Sequence, residues 1–97
     1  MEINAESLQV IHNQSKHRFE IWIEDYLSEI DYELRDDTMI IYHTGVPSPL
    51  EGHGIAGRLN QVALDYAEEN SLHVVPRCSY SAAYIRRHPQ YQNLIKE

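Results

Sequence analysis

Glu51-Gly52-His53-Gly54-Ile55-Ala56-Gly57-Arg58-Leu59 is the stretch on which the fold turns, because the hydrophobic period changes across it. Upstream, apolar residues recur at every second position, the spacing of strands covered on one face. Downstream, Ile55, Leu59, Val62, Ala63, Tyr66 and Ala67 follow i, i+4, i+7, i+8, i+11 and i+12, the stripe of an amphipathic helix, with Arg58, Gln61, Asp65 and Glu68 outside it. Three glycines and an alanine therefore sit where a strand hands over to a helix. Backbone without Cβ atoms lets an anion come close. The N–H groups of a first helical turn have no partner inside the helix, and the helix dipole reinforces them. The stretch reads as a phosphate cradle, with a purely structural tight turn as its bland alternative. It is not a P-loop, since no Gly-Lys-Ser/Thr follows, nor a dinucleotide fingerprint, which belongs after a first buried parallel strand.

Working outward toward the N-terminus, Leu8, Val10 and His12 alternate with Gln9, Ile11 and Asn13, and the polar Asn13 to Lys16 then turns the chain. In the next strand Phe19, Ile21 and Ile23 face inward and Arg18, Glu20, Trp22 and Glu24 outward. A third strand sets Tyr26, Ile30, Tyr32 and Leu34 against Glu29, Asp31, Glu33 and Arg35, and Arg35-Asp36-Asp37 turns into a β-rich run from Met39 to His43. Residues 7 to 44 thus predict a four-stranded antiparallel meander. Thr44 to Pro49 holds a glycine and two prolines and predicts a bulge or loop at the strand's end.

Toward the C-terminus the helix is expected to stop near Asn70, a residue that tolerates the left-handed conformation. Leu72 to Cys78 is a short fifth strand, in which Pro76 argues for an edge or splayed position. One helix between strands four and five makes them a parallel βαβ pair with a right-handed crossover. Ser79 or Ser81 caps a helix running to about Arg87, and Pro89 suits the first turn of another that ends near Ile95. The fold class is α+β.

Ninety-seven residues support one modest core, so the whole chain, 1–97, reads as a single domain. The hydrophobic fraction of 42% and charged fraction of 24% are ordinary globular values. The sequence has no apolar run of about 18 residues and no signal-peptide pattern at its N-terminus, which predicts a cytoplasmic protein with no membrane partner. One cysteine excludes an internal disulfide framework. The formal charge of -7 opposes phosphate-backbone attraction and argues against nucleic acid. Asp and Glu crowd residues 20 to 37, where their alternation predicts a wet sheet face, while Arg77, Arg86, Arg87 and Lys96 lie in the last quarter. An anionic ligand is favoured in the C-terminal half.

The glycine turn also resembles the signature of the general-control-type N-acetyltransferase (GNAT) superfamily, Gln/Arg-x-x-Gly-x-Gly/Ala followed by a helix. Gly54 and Ala56 occupy the small positions, Ile55 lies between them, and Glu51 stands where Gln or Arg is usual. The very small members, of roughly a hundred residues, are also similar in Val75-Pro76-Arg77-Cys78-Ser79-Tyr80 and Tyr84-Ile85-Arg86-Arg87-His88-Pro89; the resemblance covers about residues 8 to 95. It implies a sheet whose fourth and fifth strands splay, with the pantetheine arm of acetyl-CoA in the gap. On that basis pantetheine contacts fall to Tyr42, His43, Thr44 and Val46. Pyrophosphate contacts fall to the amides of Gly52, His53, Gly54, Ile55, Ala56 and Gly57, with Arg58 near the outer phosphates. Glu51 puts a carboxylate beside that site, which is tolerable if it faces solvent or pairs with Arg58.

Acyl transfer from a thioester requires an unprotonated nucleophile, donors for the developing oxyanion and a proton for the departing thiolate. Cys78 closes strand five ahead of a helix whose dipole, with Arg77, lowers a thiol pKa. It reads as a nucleophile or acyl-capture point within the cofactor cleft, or as a small buried residue. Tyr84, with Tyr80, lies in the region where many GNATs carry the tyrosine that protonates the thiolate. His43 is a candidate base or orienting residue. His12, His17, His73 and His88 show no ligand spacing, so no metal is expected. The reading is an acetyl-CoA-binding N-acetyltransferase, expected as a monomer, that acetylates an amine of unknown identity by direct attack. The rival is a non-catalytic acyl-CoA sensor or adaptor with a degenerate acceptor site.

Overall fold

The computed structural model describes residues 3–95; Met1, Glu2, Lys96 and Glu97, which entered the N-terminal and charge readings, lie outside the described residues. Strands β1 (Ile11–Asn13), β2 (Arg18–Ile23), β3 (Tyr26–Arg35), β4 (Thr38–Gly45) and β5 (His73–Pro76) form a sheet in that order. Helix α1 (Ile55–Glu69) joins β4 to β5, and helix α2 (Ser79–Arg87) follows β5. The first four strands are antiparallel neighbours and β5 runs parallel to β4, as expected of the α+β meander with its crossover helix.

The register explains the core. Phe19 lies opposite Ile30 and Ile21 opposite Ser28, so these four share a face with Tyr32, Met39, Ile41 and Val74. Helix α1 lays Ile55, Leu59, Ala63, Leu64 and Ala67 onto it. Each large side chain so buried contributes roughly 1.5–3 kcal/mol. The buried stripe of α1 also takes in Leu64 and Asn60, while Val62 and Tyr66 are only partly covered. The stripe is rotated because α2 and the C-terminal segment pack on a second side of the helix.

Several local expectations are corrected. The first strand begins at Ile11, not at Leu8. Asn13 then ends it, its Oδ1 accepting from Lys16 N–H at 3.2 Å to set up a 3-10 turn over Gln14–Lys16. Thr44 to Pro49 does end the strand in a loop, β4 stopping at Gly45 ahead of a 3-10 turn over Ser48–Leu50. A bulge lies further back inside β4: Asp31 faces His43 and Tyr32 faces Ile41, which leaves Tyr42 as the extra residue. The left-handed residue after α1 is Ser71 (φ 57) rather than Asn70 (φ -104), because the Asn70 amide is used to donate to Tyr66 O at 2.8 Å. Cys78, not Ser79 or Ser81, stands at the cap position of α2. Pro89–Leu94 is a 3-10 helix, after which Ile95 bridges to Val74.

The acidic face is not uniformly wet. Glu20 is 5% exposed and accepts from Arg18, from Asn13 Nδ2 at 3.0 Å and from Trp22 Nε1 at 3.1 Å. Those donors make its burial tolerable.

Candidate active site

The parallel pair is short. β4 and β5 stay in register from Thr38↔His73 to Ile41↔Pro76 and then part. Pro76 has no N–H with which to extend the ladder, and the next two amides, of Arg77 and Cys78, both turn onto Ile41 O at 2.9 and 3.0 Å. The chain enters α2 there, while β4 continues through Tyr42, His43, Thr44 and Gly45. Among the described residues no strand pairs with that edge of β4 beyond Ile41.

The start of α1 opens beside this split. Gly52 and Gly54 adopt φ of 84 and 79, left-handed values that favour glycine, and Gly54 caps the helix without any side chain. The first rung is Arg58 N–H to Gly54 O at 3.0 Å. Among the described residues the amides of Gly52 through Gly57 donate to no acceptor. A Cβ on Gly52 would meet nothing within 4 Å, whereas one on Gly57 would touch Tyr80 Oη at 3.6 Å and the Tyr84 ring at 3.7 Å. Glu51 and His53 are exposed, and Arg58 donates to Gln61 Oε1 at 3.4 Å rather than to Glu51. The Nε of Arg58 is buried without a partner. A run of unbonded amides at a helix N-terminus, with an unsatisfied guanidinium donor nearby, suits an anion, while the Glu51 carboxylate that would oppose one is exposed to solvent. Gly54, Gly57 and Arg58 also line a cavity of about 390 Å³ that reaches Tyr84 and His88.

Behind the split lies a buried polar cluster. Asn60 of α1 and Ser81 of α2 are both fully buried. Ser81 Oγ donates to Asn60 Oδ1 at 2.6 Å, and Asn60 Nδ2 donates to Ala56 O at 2.9 Å and toward Thr44 Oγ1 at 3.4 Å. The Cys78 sulfur lies 3.5 Å from Thr44 Oγ1. Burial by itself pushes this thiol up, but hydrogen bonds from Thr44, from Ser81 and from the Tyr80 amide outweigh it and hold the thiol below its ordinary value. Asn60 was not singled out from the sequence, and Ser81 was read only as a candidate helix cap. A usable signal existed for Asn60, a polar residue five positions after Ile55 and next to Leu59 on the buried flank of α1.

The three catalytic candidates occupy three different places. Cys78 sits at the split. Tyr84 packs beside Gly57 and stacks on His88 at 3.9 Å, with burial pushing its hydroxyl up. His43 lies opposite Asp31 on the sheet face away from α1, and its Nε2 sits 2.7 Å from where a Gly45 Cβ would be. Tyr42 shares that outer side, donating to Glu33 Oε2 at 2.7 Å. Thr44, by contrast, turns inward to Asn60, and Val46 packs against the core. Among the described residues no group of three His, Cys, Asp or Glu could hold a metal, and no helix is long and apolar enough to cross a membrane.

Known proteins share this architecture and sequence. The chain is 28% identical over 93 residues to Protein NATD1 of Xenopus tropicalis, covering 93% of this chain and 85% of that protein. It is 29% identical over 90 residues to Protein NATD1 of Gallus gallus, covering 90% and 82%. The solution structure of a GCN5-like protein from Staphylococcus aureus superposes with a TM-score of 0.74 at 27% identity, covering 92% of this chain and 88% of that one. Residues 18–94 match the family described as GCN5-related N-acetyl-transferase. A sheet that splits beside an open helix N-terminus and a family match across most of the sequence lead to one statement: the chain belongs to the GCN5-related N-acetyl-transferase family.

Proposed function

We propose that the chain binds acetyl-CoA in the β4–β5 split and transfers its acetyl group to an amine. The observation that carries this reading is the end of strand pairing at Ile41↔Pro76, next to amides 52 through 57 that have no acceptor of their own. An extended pantetheine arm has the right chemistry to bond the freed edge of β4 at Tyr42 to Val46, and a diphosphate to accept from the α1 amides. Acetyl-CoA supplies an acyl group activated as a thioester. Of Cys78, Tyr84 and His43, the Cys78 sulfur lies nearest the split, beside Thr44, and we favour its capture of the acyl group, with coenzyme A leaving as its thiolate, over the direct attack by the amine expected from the sequence. Tyr84 is assigned to the nucleotide end, beside Gly57.

Calorimetry with coenzyme A tests the binding half: a saturable isotherm is expected from the intact chain, and no heat at millimolar ligand would end the proposal. Incubation with acetyl-CoA and a panel of amines, with mass spectrometry of amines and protein, tests the chemistry. Acetyl on Cys78 that chases into amine is the expected result. Acetylated amine from a Cys78→Ala variant at the intact rate would instead mean direct attack. Binding with neither product would mean an acyl-CoA sensor.

A further inference from the structure

The hydrogen bonds around Asn60 run in one direction, and that direction ends at Cys78. Ala56 O is a carbonyl and can only accept, so the Asn60 amide must present its nitrogen to Ala56, at 2.9 Å, and its oxygen to Ser81, at 2.6 Å. The single hydroxyl proton of Ser81 is therefore committed to Asn60 Oδ1. It is not available to the sulfur or to Thr44. Thr44 Oγ1 in turn faces the Asn60 nitrogen at 3.4 Å and receives from it. While Cys78 is a thiol, its S–H donates to Thr44 Oγ1 at 3.5 Å. Once the sulfur has lost that proton, the Thr44 hydroxyl has two acceptors in reach, Cys78 Sγ and Ser81 Oγ, both at 3.5 Å. For an oxygen acceptor that separation is long; for sulfur it is ordinary, and a charged acceptor attracts the donor more strongly.

We infer that the Thr44 hydroxyl is the side-chain donor to the Cys78 sulfur once that sulfur is deprotonated, and that Asn60 is a positioning residue which fixes the direction of that bond. This deepens the reading above and rests on its assignment of Cys78 as the acyl acceptor. It moves Thr44 from the pantetheine contacts to the nucleophile. The groups that face the sulfur are uncharged, Thr44 of β4 and the Tyr80 and Ser81 amides at the start of α2, with Asn60 of α1 and the Ser81 hydroxyl behind Thr44, and the charged neighbour in the chain, Arg77, is exposed. A neutral network therefore sets the titration, and it does so before any ligand arrives.

The test is the pH dependence of iodoacetamide alkylation on the full chain without coenzyme A, where one cysteine makes the readout unambiguous. Thr44→Val, nearly isosteric, is expected to raise the titration midpoint by about one pH unit, the scale of one hydrogen bond to a charged group. Thr44→Ser keeps the hydroxyl and is expected to restore the intact midpoint. Asn60→Ala is expected to raise it by less, and to add nothing when Thr44 is already Val, because it acts through Thr44. A Thr44→Val curve that overlays the intact protein, or a Thr44→Ser curve that overlays Thr44→Val, overturns the inference. If Asn60→Ala does not fold, the two Thr44 variants still decide it. Failure of acyl transfer with these shifts intact would fell the proposed function and leave the hydrogen-bond assignment standing.

Discussion

The β2–β3 hairpin and the β4–β5 pair lie in one sheet over one core, yet the first is continuous and the second stops halfway. β2 and β3 pair at every position from Arg18↔Asp31 to Ile23↔Tyr26, whereas β5 follows β4 for four residues and leaves it at Pro76. Outward charges on the hairpin are satisfied in place, as Arg18 by its charge and Trp22 by its indole N–H do for Glu20. Backbone donors at the other end, at residues 52 through 57, are left open. The comparison teaches that this domain's stability is concentrated where pairing is complete, and that its binding capacity comes from where pairing is withheld.

That division can be broken most forcefully from the hairpin side. Phe19→Ala, which empties a site in the shared core, is expected to cost about 3–5 kcal/mol in denaturant unfolding. Next in size, Arg18→Ala removes the charged partner of the buried Glu20 carboxylate, leaves it the Asn13 and Trp22 donors, and is expected to cost about 2–3 kcal/mol. If the hairpin is the stable half, neither change should alter coenzyme A affinity at a temperature where the variant is folded. Gly54→Val, forced to φ 79, should do the reverse: about 1–3 kcal/mol of stability, together with a clear loss of coenzyme A binding by calorimetry. Equal ligand affinity in that variant would contradict the role given to the open amides. Ser71→Gly, at the end of α1 remote from the split, is expected to stabilise by about 1 kcal/mol with unchanged binding. It relieves a left-handed serine whose N–H donates to Glu68 O at 3.2 Å while Leu72 N–H donates to Ala67 O at 2.8 Å.

Acid should act on the hairpin half as well. Burial pushes the Glu20 carboxyl up, but Arg18, Trp22 and Asn13 together pull it lower, below its ordinary value, so its contribution is present above the usual carboxylate range and is lost as pH falls through the depressed value. His12, stacked on Phe19 at 4.0 Å, is held below 6.5 by burial, so the neutral ring's contribution is lost as pH falls from 6.5 toward its lowered value. Thermal melts are expected to show Tm falling in two steps below pH 6.5, with Glu20→Gln removing the lower one.

How much of this was legible beforehand depended on the range of the interactions. The alternation of Phe19, Ile21 and Ile23 and the 3.6-residue stripe of α1 are local patterns, and both elements stand where those patterns put them. Pro76 announced the edge position of β5 for an equally local reason, its missing N–H. The loop after β4 was legible from its prolines, but the bulge at Tyr42 was not, because it is a property of register: only the continuation of β3 opposite Thr44 and Gly45 keeps β4 in the sheet past its irregularity. Glu20 read as a wet-face residue because its donors come from β1 and from its own strand's neighbours, which periodicity cannot align.

By itself the sequence determined the order and type of the elements and the glycine-rich entry to α1, since propensity, period and capping act over a few residues. Tertiary structure alone decided that Thr44, Asn60, Ser81 and Cys78 meet behind the split. These residues are as much as 37 positions apart, and their hydrogen bonds exist only once β4, α1 and α2 have packed together.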